Sequence, residues 1–451
     1  MDFTQRAREL IGEAHVLTGT DTAGFASDFT GKYQGTPLCV LRPANRDEVA
    51  ALLRLAQETR TPVVPVGGNT GLVGGTYTES AALLSLARLN RIRDIAPGAR
   101  VATVEAGVIL SRLHDAAAEH DLIFPLTFGA KDSAMIGGVL ATNAGGSNVL
   151  RYGNTRALVL GLEAVTAEGE VLDLLRPLHK DNSGYDLRDL LIGSEGTLAI
   201  ITAASLRLFP RPPAYGTAML ATPDLPAALR VLNRLQAATS GAVEAFEFMP
   251  RSYIEAHLNT IDGAREPFEK PHEINILAEI GGHTDALETA LEAAFEAGDV
   301  TDAVIAQSEA QRIEMWTRRE AAAEVVFHQN PLVAADIALP LDQIDRFFAD
   351  VRPQIATLDP AATDLCVAHL GDGNLHYNVY SECGAAEEMT AIVEETAVRL
   401  GGTFSAEHGV GLSKLDAMTR HKNPVALKMM WRVKAAFDPN NILNPGKVLP
   451  D

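Results

Sequence analysis

Two histidines stand on either side of Gly371-Asp372-Gly373-Asn374 in the run CVAHLGDGNLHYNVY, Cys366 to Tyr380. An Asp-Gly pair between apolar-rich flanks signals a two-residue hairpin turn. With Asp372 and Gly373 as that turn, His369 and His376 are expected directly opposite each other, their Cβ atoms roughly 4.5–5.5 Å apart. Both imidazoles then share one face and can reach one ion, and Asn378, two residues on, points the same way. A third ligand would complete a catalytic site with open positions. Glu407, in FSAEHGVG, is the best candidate. Two imidazoles and a carboxylate suit zinc, and manganese, cobalt or iron also fit. Spacing alone leaves open a packing role for the two histidines. His408 follows Glu407. In extended backbone neighbours point to opposite sides, so one can face a metal and the other a substrate. A His near neutral pKa suits removal of a hydroxyl proton. Arg318 and Arg319, in MWTRREAAAEVV, carry guanidiniums, the group that grips a carboxylate bidentately.

Glycine supplies a second kind of chemistry. Pro65 to Gly75 reads PVGGNTGLVGG, with five glycines in eleven residues after a short strand. Without Cβ atoms, successive N–H groups converge into an anion nest, and a pyrophosphate is the natural guest. The Rossmann and Walker spacings are both missing. Residues 137–153, GGVLATNAGGSNVLRYG, offer small side chains where backbone can lie against a flat ring. Residues 181–201, DNSGYDLRDLLIGSEGTLAII, place Gly193 and Gly196 before a buried strand. A single glycine loop is often a plain surface turn. Three within 150 residues point to a cofactor.

These residues need a scaffold. Alternation predicts strands at 38–41, 63–66, 82–86 and 101–106, a helix over 46–59, a hairpin of 159–166 with 171–175, and a long strand over 198–208. FPRPP, Phe209 to Pro213, is read as a boundary that continues neither strand nor helix. Beyond it, strands at about 217–221, 242–248, 273–280 and 302–307 alternate with helices at about 224–239, 284–297 and 308–328, an antiparallel α+β rhythm. The tail from Ile442 to Pro450 has no clear element and is expected to return to the first domain. The division expected is a lead-in over 1–35, a cofactor domain over 36–213, a substrate and metal domain over 214–440, and a tail over 441–451.

The 451 residues carry 38 Lys and Arg against 58 Asp and Glu, a net charge of -20. That disfavours nucleic acid, whose binding rests on cations neutralising phosphates, and anionic membrane surfaces. The cysteines, Cys39, Cys366 and Cys383, are odd in number and lack a C-x-x-C pair, which fits a reducing compartment. No signal-peptide core or 18-residue apolar run is seen, so the cytoplasm and a chain without transmembrane segments are expected.

PVGGNTGLVGG, the ATNAGG…LRYG run and KDNSGYDLRDLLIGSEGTLAIIT together resemble the FAD-binding domain of the vanillyl-alcohol-oxidase/p-cresol-methylhydroxylase superfamily, and within it the FAD-linked D-2-hydroxy acid dehydrogenases, such as those acting on D-2-hydroxyglutarate and D-lactate. The resemblance covers about residues 35–450. It implies an α+β fold: a two-subdomain FAD-binding domain plus a cap domain with a ferredoxin-like antiparallel sheet. It implies FAD contacts at Val66, Gly67, Gly68, Asn69, Thr70, Gly71 and Leu72, and at Pro125, Leu126, Thr127, Gly129 and Ser133 in PLTFGAKDS. Gly138, Thr142, Asn143, Gly145, Gly146, Gly153, Glu195, Gly196, Ile200 and Asn444 complete the set. The first loop offers no His or Cys, so FAD is expected to bind noncovalently. The resemblance also implies metal ligation by His369, His376 and Glu407, His408 as base, and Asn378 and Arg319 on the substrate. Trp316 selects Arg319, leaving Arg318 as a solvated helix charge. The reaction implied is oxidation of a small 2-hydroxy acid to the 2-oxo acid, with electrons passing to an electron-transferring flavoprotein, a cytochrome or a quinone. A homodimer is compatible. D-2-hydroxyglutarate dehydrogenases carry a Thr four residues after that Arg and a Lys two residues before the strand aspartate. Here Ala323 and Ala334 stand there, which shifts the expected substrate from a dicarboxylate toward a D-lactate-like monocarboxylate. D-2-hydroxyglutarate or D-malate oxidation, a subunit of a glycolate-oxidase-like complex, and a non-redox alkyl-transfer flavoenzyme are the alternatives.

Overall fold

The computed structural model describes residues 2–282 and 284–450. Strands β1 (Val16–Leu17), β2 (Cys39–Leu41), β3 (Val63–Val66) and β4 (Ala82–Ser85) form a sheet in the order β1-β2-β4-β3. β2 and β3 both run parallel to β4. The helix Arg46–Thr59 makes the crossover between β2 and β3. Asn45 caps it by accepting from the Glu48 amide, while the Glu48 carboxylate accepts from Ala44 N at 2.7 Å, a reciprocal capping arrangement. Its apolar stripe, Val49, Leu52, Leu53 and Ala56, is fully buried on this sheet. The tail closes the far edge: Val63 N donates to Ile442 O and Asn444 N donates to Val63 O, both at 2.8 Å. The tail thus pairs by backbone with β3.

The second sheet is wholly antiparallel. β5 (Ile92–Ala96), β6 (Val101–Glu105), β8 (Val159–Thr166), β9 (Val171–Leu174) and β10 (Ala199–Arg207) lie in the order β5-β6-β10-β8-β9. β7 (Leu122–Ile123) pairs instead with β11 (Phe209–Pro210). The FPRPP segment thus does contribute a strand, contrary to expectation. The pairing is a two-residue fragment at an edge, where the missing Pro210 N–H interrupts no ladder.

β12 (Tyr215–Ala221), β13 (Val243–Pro250), β14 (Ile274–Gly281), β15 (Asp302–Ile305), β16 (Val333–Ala338), β17 (Thr363–His369) and β18 (Asn374–Tyr380) build the third sheet, ordered β15-β12-β14-β13-β17-β18-β16 and antiparallel throughout. Its first four strands lie fourth-first-third-second, with the helices Leu225–Ala238 and Thr284–Glu296 between them, which is the ferredoxin-like βαββαβ order. The remaining three strands extend that sheet. Side chains alternate between its faces. Phe246, Phe248, Cys366, Ala368, Leu375 and Tyr377 enter a core under the helices Leu225–Ala238, Thr284–Glu296, Ile344–Leu358 and Ala386–Arg399. Met249, Leu277, Leu365 and Val367 enter a smaller core with Tyr253 and Met315 on the opposite face. That second face bears the candidate chemistry. The single helix expected over 308–328 is two, Glu309–Glu320 and Ala322–Phe327, broken at Ala321 where ψ is 0°. Among the described residues no helix is long and apolar enough to cross a membrane.

Candidate active site

The hairpin turns over four residues, Leu370 to Gly373, not two. Gly373 takes φ 83°, and a Cβ there would overlap the Leu339 carbonyl, so glycine is required. The register pairs His369 with Asn374 and His376 with Val367, so the histidines are not directly opposed. The slip is two residues, and an even slip keeps every side chain on its face. The imidazoles therefore still meet, with ring centroids 5.4 Å apart. β16 places Asp336 beside His376, and β13 places Glu247 beside His369. Neither carboxylate was singled out from sequence.

Glu407 Oε1 is the centre of the group. The Nε2 atoms of His369, His376 and His408 lie 4.0, 3.5 and 3.6 Å from it. Two atoms each about 2.0–2.2 Å from one ion stand at most about 4.4 Å apart, so these separations suit a shared ion. Glu407 and His408 do not point to opposite sides as expected. Their backbone bends instead of extending, and the His408 ring stacks on His376 at 5.3 Å and 11°. Asp336, His376, Glu407 and His408 each bring a ligand atom within 4.8 Å of the others. Asp336 is nonetheless already engaged. Its Oδ2 accepts three backbone amides, and its Oδ1 accepts from Asn374 Nδ2 at 2.9 Å.

Electrostatics sorts the group. Burial alone would raise the Glu407 carboxyl, but the His408 hydrogen bond and the three surrounding imidazoles hold it well below the usual carboxylate range. Burial pulls His376 down to about 4, which leaves a neutral imidazole at pH 7. Burial also opposes charge on His369 and His408. There the facing carboxylates win: Glu247 raises His369, and Asp336 with Glu407 raises His408. Glu247 accepts from His369 Nδ1 at 2.9 Å and from Arg319 Nε at 2.7 Å. A carboxylate on Nδ1 fixes the ring and turns Nε2 toward a metal. Arg319 is 8% exposed, and its Nη2 has no hydrogen-bond partner among the described residues. Arg318 is not solvated, contrary to expectation. It is 6% exposed and donates to Arg265 O, because the helix packs against Tyr253, whose hydroxyl donates to Arg318 O. Asn378 donates to Leu365 O and His376 O within the sheet.

The glycine loops converge. A Cβ at Gly68 would overlap Ser133 O, and one at Gly67 would stand 3.5 Å from Gly138 N. A Cβ at Gly146 would overlap Thr127 O, and one at Gly145 would stand 2.7 Å from Glu407 Oε2. The loop around Gly145 therefore abuts the ion-binding candidate. Asn69 takes φ 54° and bridges Ser27 O and Thr76 Oγ1. Asn444 donates to Gly75 O and Glu195 O, and its buried Oδ1 has no partner among the described residues. Val66, Leu126 and Ile200 are buried apolar residues behind these loops. Pro125 is buried beside Leu126, and Thr70 and Leu72 flank Gly71 at half-burial. Thr142 and Asn143 end the helix Ile136–Thr142, where Asn143 Oδ1 accepts from Arg156 N. A Cβ at Gly196 would overlap Pro65 Cγ. Gly153 closes the helix Val149–Tyr152 at φ 79°, where a Cβ would stand 2.7 Å from that of Ala157.

A family described as "FAD binding domain" matches residues 37–175, and one described as "FAD linked oxidases, C-terminal domain" matches residues 211–448. D-2-hydroxyglutarate dehydrogenase of Xanthomonas citri pv. viticola is 37% identical over 95% of this chain and 92% of its own length. The mitochondrial D-2-hydroxyglutarate dehydrogenase of Bos taurus is 38% identical over 94% of this chain and 79% of its own. The chain belongs to the FAD-linked D-2-hydroxy acid dehydrogenase family. A solved structure of p-cresol methylhydroxylase with substrate bound shares the fold of this dehydrogenase, with a TM-score of 0.78 at 16% identity over 100% of this chain and 96% of that one.

The residues of this hydroxy acid dehydrogenase suit both groups. For FAD, a would-be Cβ at Gly71, Gly129 or Gly138 meets nothing within 4 Å among the described residues beyond its immediate backbone neighbours, which leaves bare peptide for phosphate or ring, and Asn444 Oδ1 is a buried acceptor with no partner among those residues. For a divalent ion, the donor set is two or three imidazoles and one ionised carboxylate, with carboxylates behind the rings.

Proposed function

We propose that the enzyme oxidises a D-2-hydroxy acid lacking a second carboxylate, D-lactate or a longer apolar homologue, to the 2-oxo acid, with a divalent ion at His369, His376 and Glu407. FAD, when bound, supplies the acceptor for the hydride from C2, and the ion supplies Lewis acidity toward the 2-hydroxyl. The chain does the rest. Arg319 presents its free Nη2 to the C1 carboxylate, with Glu247 fixing the guanidinium plane. His408 receives the hydroxyl proton at Nε2. Asp336, 3.6 Å from His408 Nδ1, stabilises the imidazolium that results. Asn378 orients the substrate from the strand beside His376. The loops at Val66–Leu72, Pro125–Ser133, Gly138–Gly146, Glu195–Gly196, Ile200 and Asn444 hold FAD noncovalently. Electrons leave to a protein or quinone acceptor. The three free cysteines support a reducing compartment such as the cytoplasm.

The observation that carries the reading is the convergence of three Nε2 atoms on Glu407 Oε1 beside the loop at Gly145. Substrate choice rests on Ala323 and Ala334. Ala334 lies across from Asn378 and both alanines are exposed, so neither offers a distal carboxylate a donor. A second reading is oxidation of a dicarboxylate, D-2-hydroxyglutarate or D-malate, and the names of the relatives favour the first of these. An anaerobic screen of flavin bleaching over D- and L-lactate, malate, 2-hydroxyglutarate and longer 2-hydroxy acids separates them. Fastest bleaching by an apolar D-acid supports the first reading, and fastest bleaching by D-2-hydroxyglutarate replaces it with the second.

A further inference from the structure

The segment Ala406–Gly411 carries Glu407 and His408 but belongs to no helix or strand. Five of its six amides nevertheless donate to two carboxylates. Asp336 Oδ2 accepts from Ala406, Glu407 and His408 N at 3.2, 3.1 and 2.9 Å. Glu195 Oε1 accepts from Val410 N at 2.7 Å, and its Oε2 accepts from Gly411 N at 2.9 Å. Gly409 lies between the two grips at φ 84°, and a Cβ there would stand 2.8 Å from Glu195 Oε1. Its carbonyl accepts from Ser405 Oγ at 2.6 Å.

The carboxylates come from different parts of the fold. Asp336 is 2% exposed on β16 in the third sheet. Glu195 sits in the turn before β10, itself pinned by donating its N–H to Ala141 O and by accepting from Asn444 Nδ2, both at 2.8 Å. Neither side chain is free for an ion. Both Asp336 oxygens accept hydrogen bonds, and Lys414 Nζ stands 3.4 Å from Oδ2. Both Glu195 oxygens accept amides. Successive N–H groups converging on an anion form a nest, and charge-assisted bonds of this kind are roughly twice as strong as neutral ones. A loop with no ladder of its own gains its fixed shape from them.

We propose that Asp336 and Glu195 form a two-carboxylate clamp that positions Glu407 and His408, Asp336 from the side of the metal-bearing sheet and Glu195 from the side of the cofactor loops. Both are positioning residues. The geometric part stands on the hydrogen bonds alone, and the consequence for ion binding rests on the metal-assisted reading above. Asp336→Asn and Glu195→Gln are close in shape to the originals. Each new amide group must turn an N–H₂ toward a donor: Asn374 or the loop amides for the first, Val410 or Gly411 for the second.

The test is amide hydrogen exchange on the FAD-loaded protein, together with divalent-ion affinity by chelator competition. In the wild type, amides 406–408 and 410–411 are expected to exchange as slowly as sheet amides. Asp336→Asn should accelerate 406–408 at least tenfold, and Glu195→Gln should do so at 410–411, with exchange in β12 to β14 unchanged. Ion affinity should fall about tenfold or more in each, the usual effect of losing a partner behind a ligand. A general loss of stability would accelerate exchange everywhere, which distinguishes it. Wild-type amides 406–408 and 410–411 exchanging at exposed-loop rates, a result that needs no variant to fold, overturn the clamp. So does exchange within twofold of wild type at those amides in both variants. Exchange that responds as stated in a protein that binds no divalent ion supports the clamp while removing the metal-assisted reading.

Discussion

Replacing Ala334 with Lys and Ala323 with Thr should move this enzyme toward dicarboxylic substrates. Ala334 lies two residues before Asp336 on the same face of β16 and directly across from Asn378. At about 3.3 Å of rise per residue it sits roughly 7 Å along the strand from Asp336. A lysine side chain covers that span, so its ammonium can meet the distal carboxylate of a substrate whose C1 carboxylate is on Arg319. Hydrogen bonds to charged groups contribute about 1.5–3 kcal/mol, which is about 10- to 150-fold in a rate ratio. Ala334 is exposed, so water competes and the lower end, about tenfold, is expected. The assay is anaerobic flavin reduction, read as kcat/KM for D-2-hydroxyglutarate divided by kcat/KM for D-lactate. A ratio unchanged within twofold in the double variant refutes the assignment of positions 323 and 334. A wild-type ratio already above one refutes the inference that the alanines exclude a dicarboxylate.

Glu247→Gln leaves the buried Arg319 guanidinium without its counter-charge and His369 without a fixed ring. Breaking a buried pair in this way costs about 3–5 kcal/mol, and ion affinity should fall about 10- to 100-fold. Denaturant melts and chelator competition measure the two losses. Gly145→Ala places a Cβ against Glu407 Oε2 and should weaken both ion binding and flavin reduction while leaving the first sheet intact, as judged by metal analysis and circular dichroism. Dialysis against EDTA should abolish substrate-dependent flavin bleaching, and zinc or manganese should restore it; full activity in metal-free protein would remove the ion from the mechanism. In that metal-free protein the raised His408 pKa makes a signed prediction. The folded state binds the proton more tightly than the unfolded state. The added stability is therefore fully present below about pH 6.5, the ordinary imidazole value, and is lost as pH rises through the folded value. Urea midpoints of wild type and His408→Ala should thus converge with rising pH, and a gap that widens instead would contradict the sign.

Elements with a strong period were legible in the sequence, because local pattern alone decides them. The helix Arg46–Thr59 ends where its Asn45 cap and apolar stripe say it should. The face shared by His369 and His376 was legible for the same reason, although their register was not. Asp-Gly suggested a two-residue turn, but Leu370 is buried, and Gly373 packs against the Leu339 carbonyl, which draws the turn out to four residues. Parity preserved the conclusion where the detail failed. Arg318 misled because its helix offered charge at two neighbouring positions, and nothing local reveals that Tyr253 closes over one of them.

Asp336 and Glu247 were not singled out because their roles exist only between elements. Asp336 meets amides some 70 residues away, and Glu247 meets a histidine 122 residues away and an arginine 72 residues away. One signal was available: an aspartate inside VAADIALP interrupts an otherwise apolar strand, and a buried unpaired carboxylate is too costly to persist. An ionised residue in a strand that reads as core therefore calls for a partner of specific chemistry. Here the partner is a run of backbone amides on the loop that bears Glu407 and His408. The same logic applied to Glu247 in VEAFEFMP points to a cation, and the structure supplies two, Arg319 and His369. The strand carboxylates thus mark which face of the sheet does chemistry before any ligand is considered, and that face is where the three imidazoles meet Glu407.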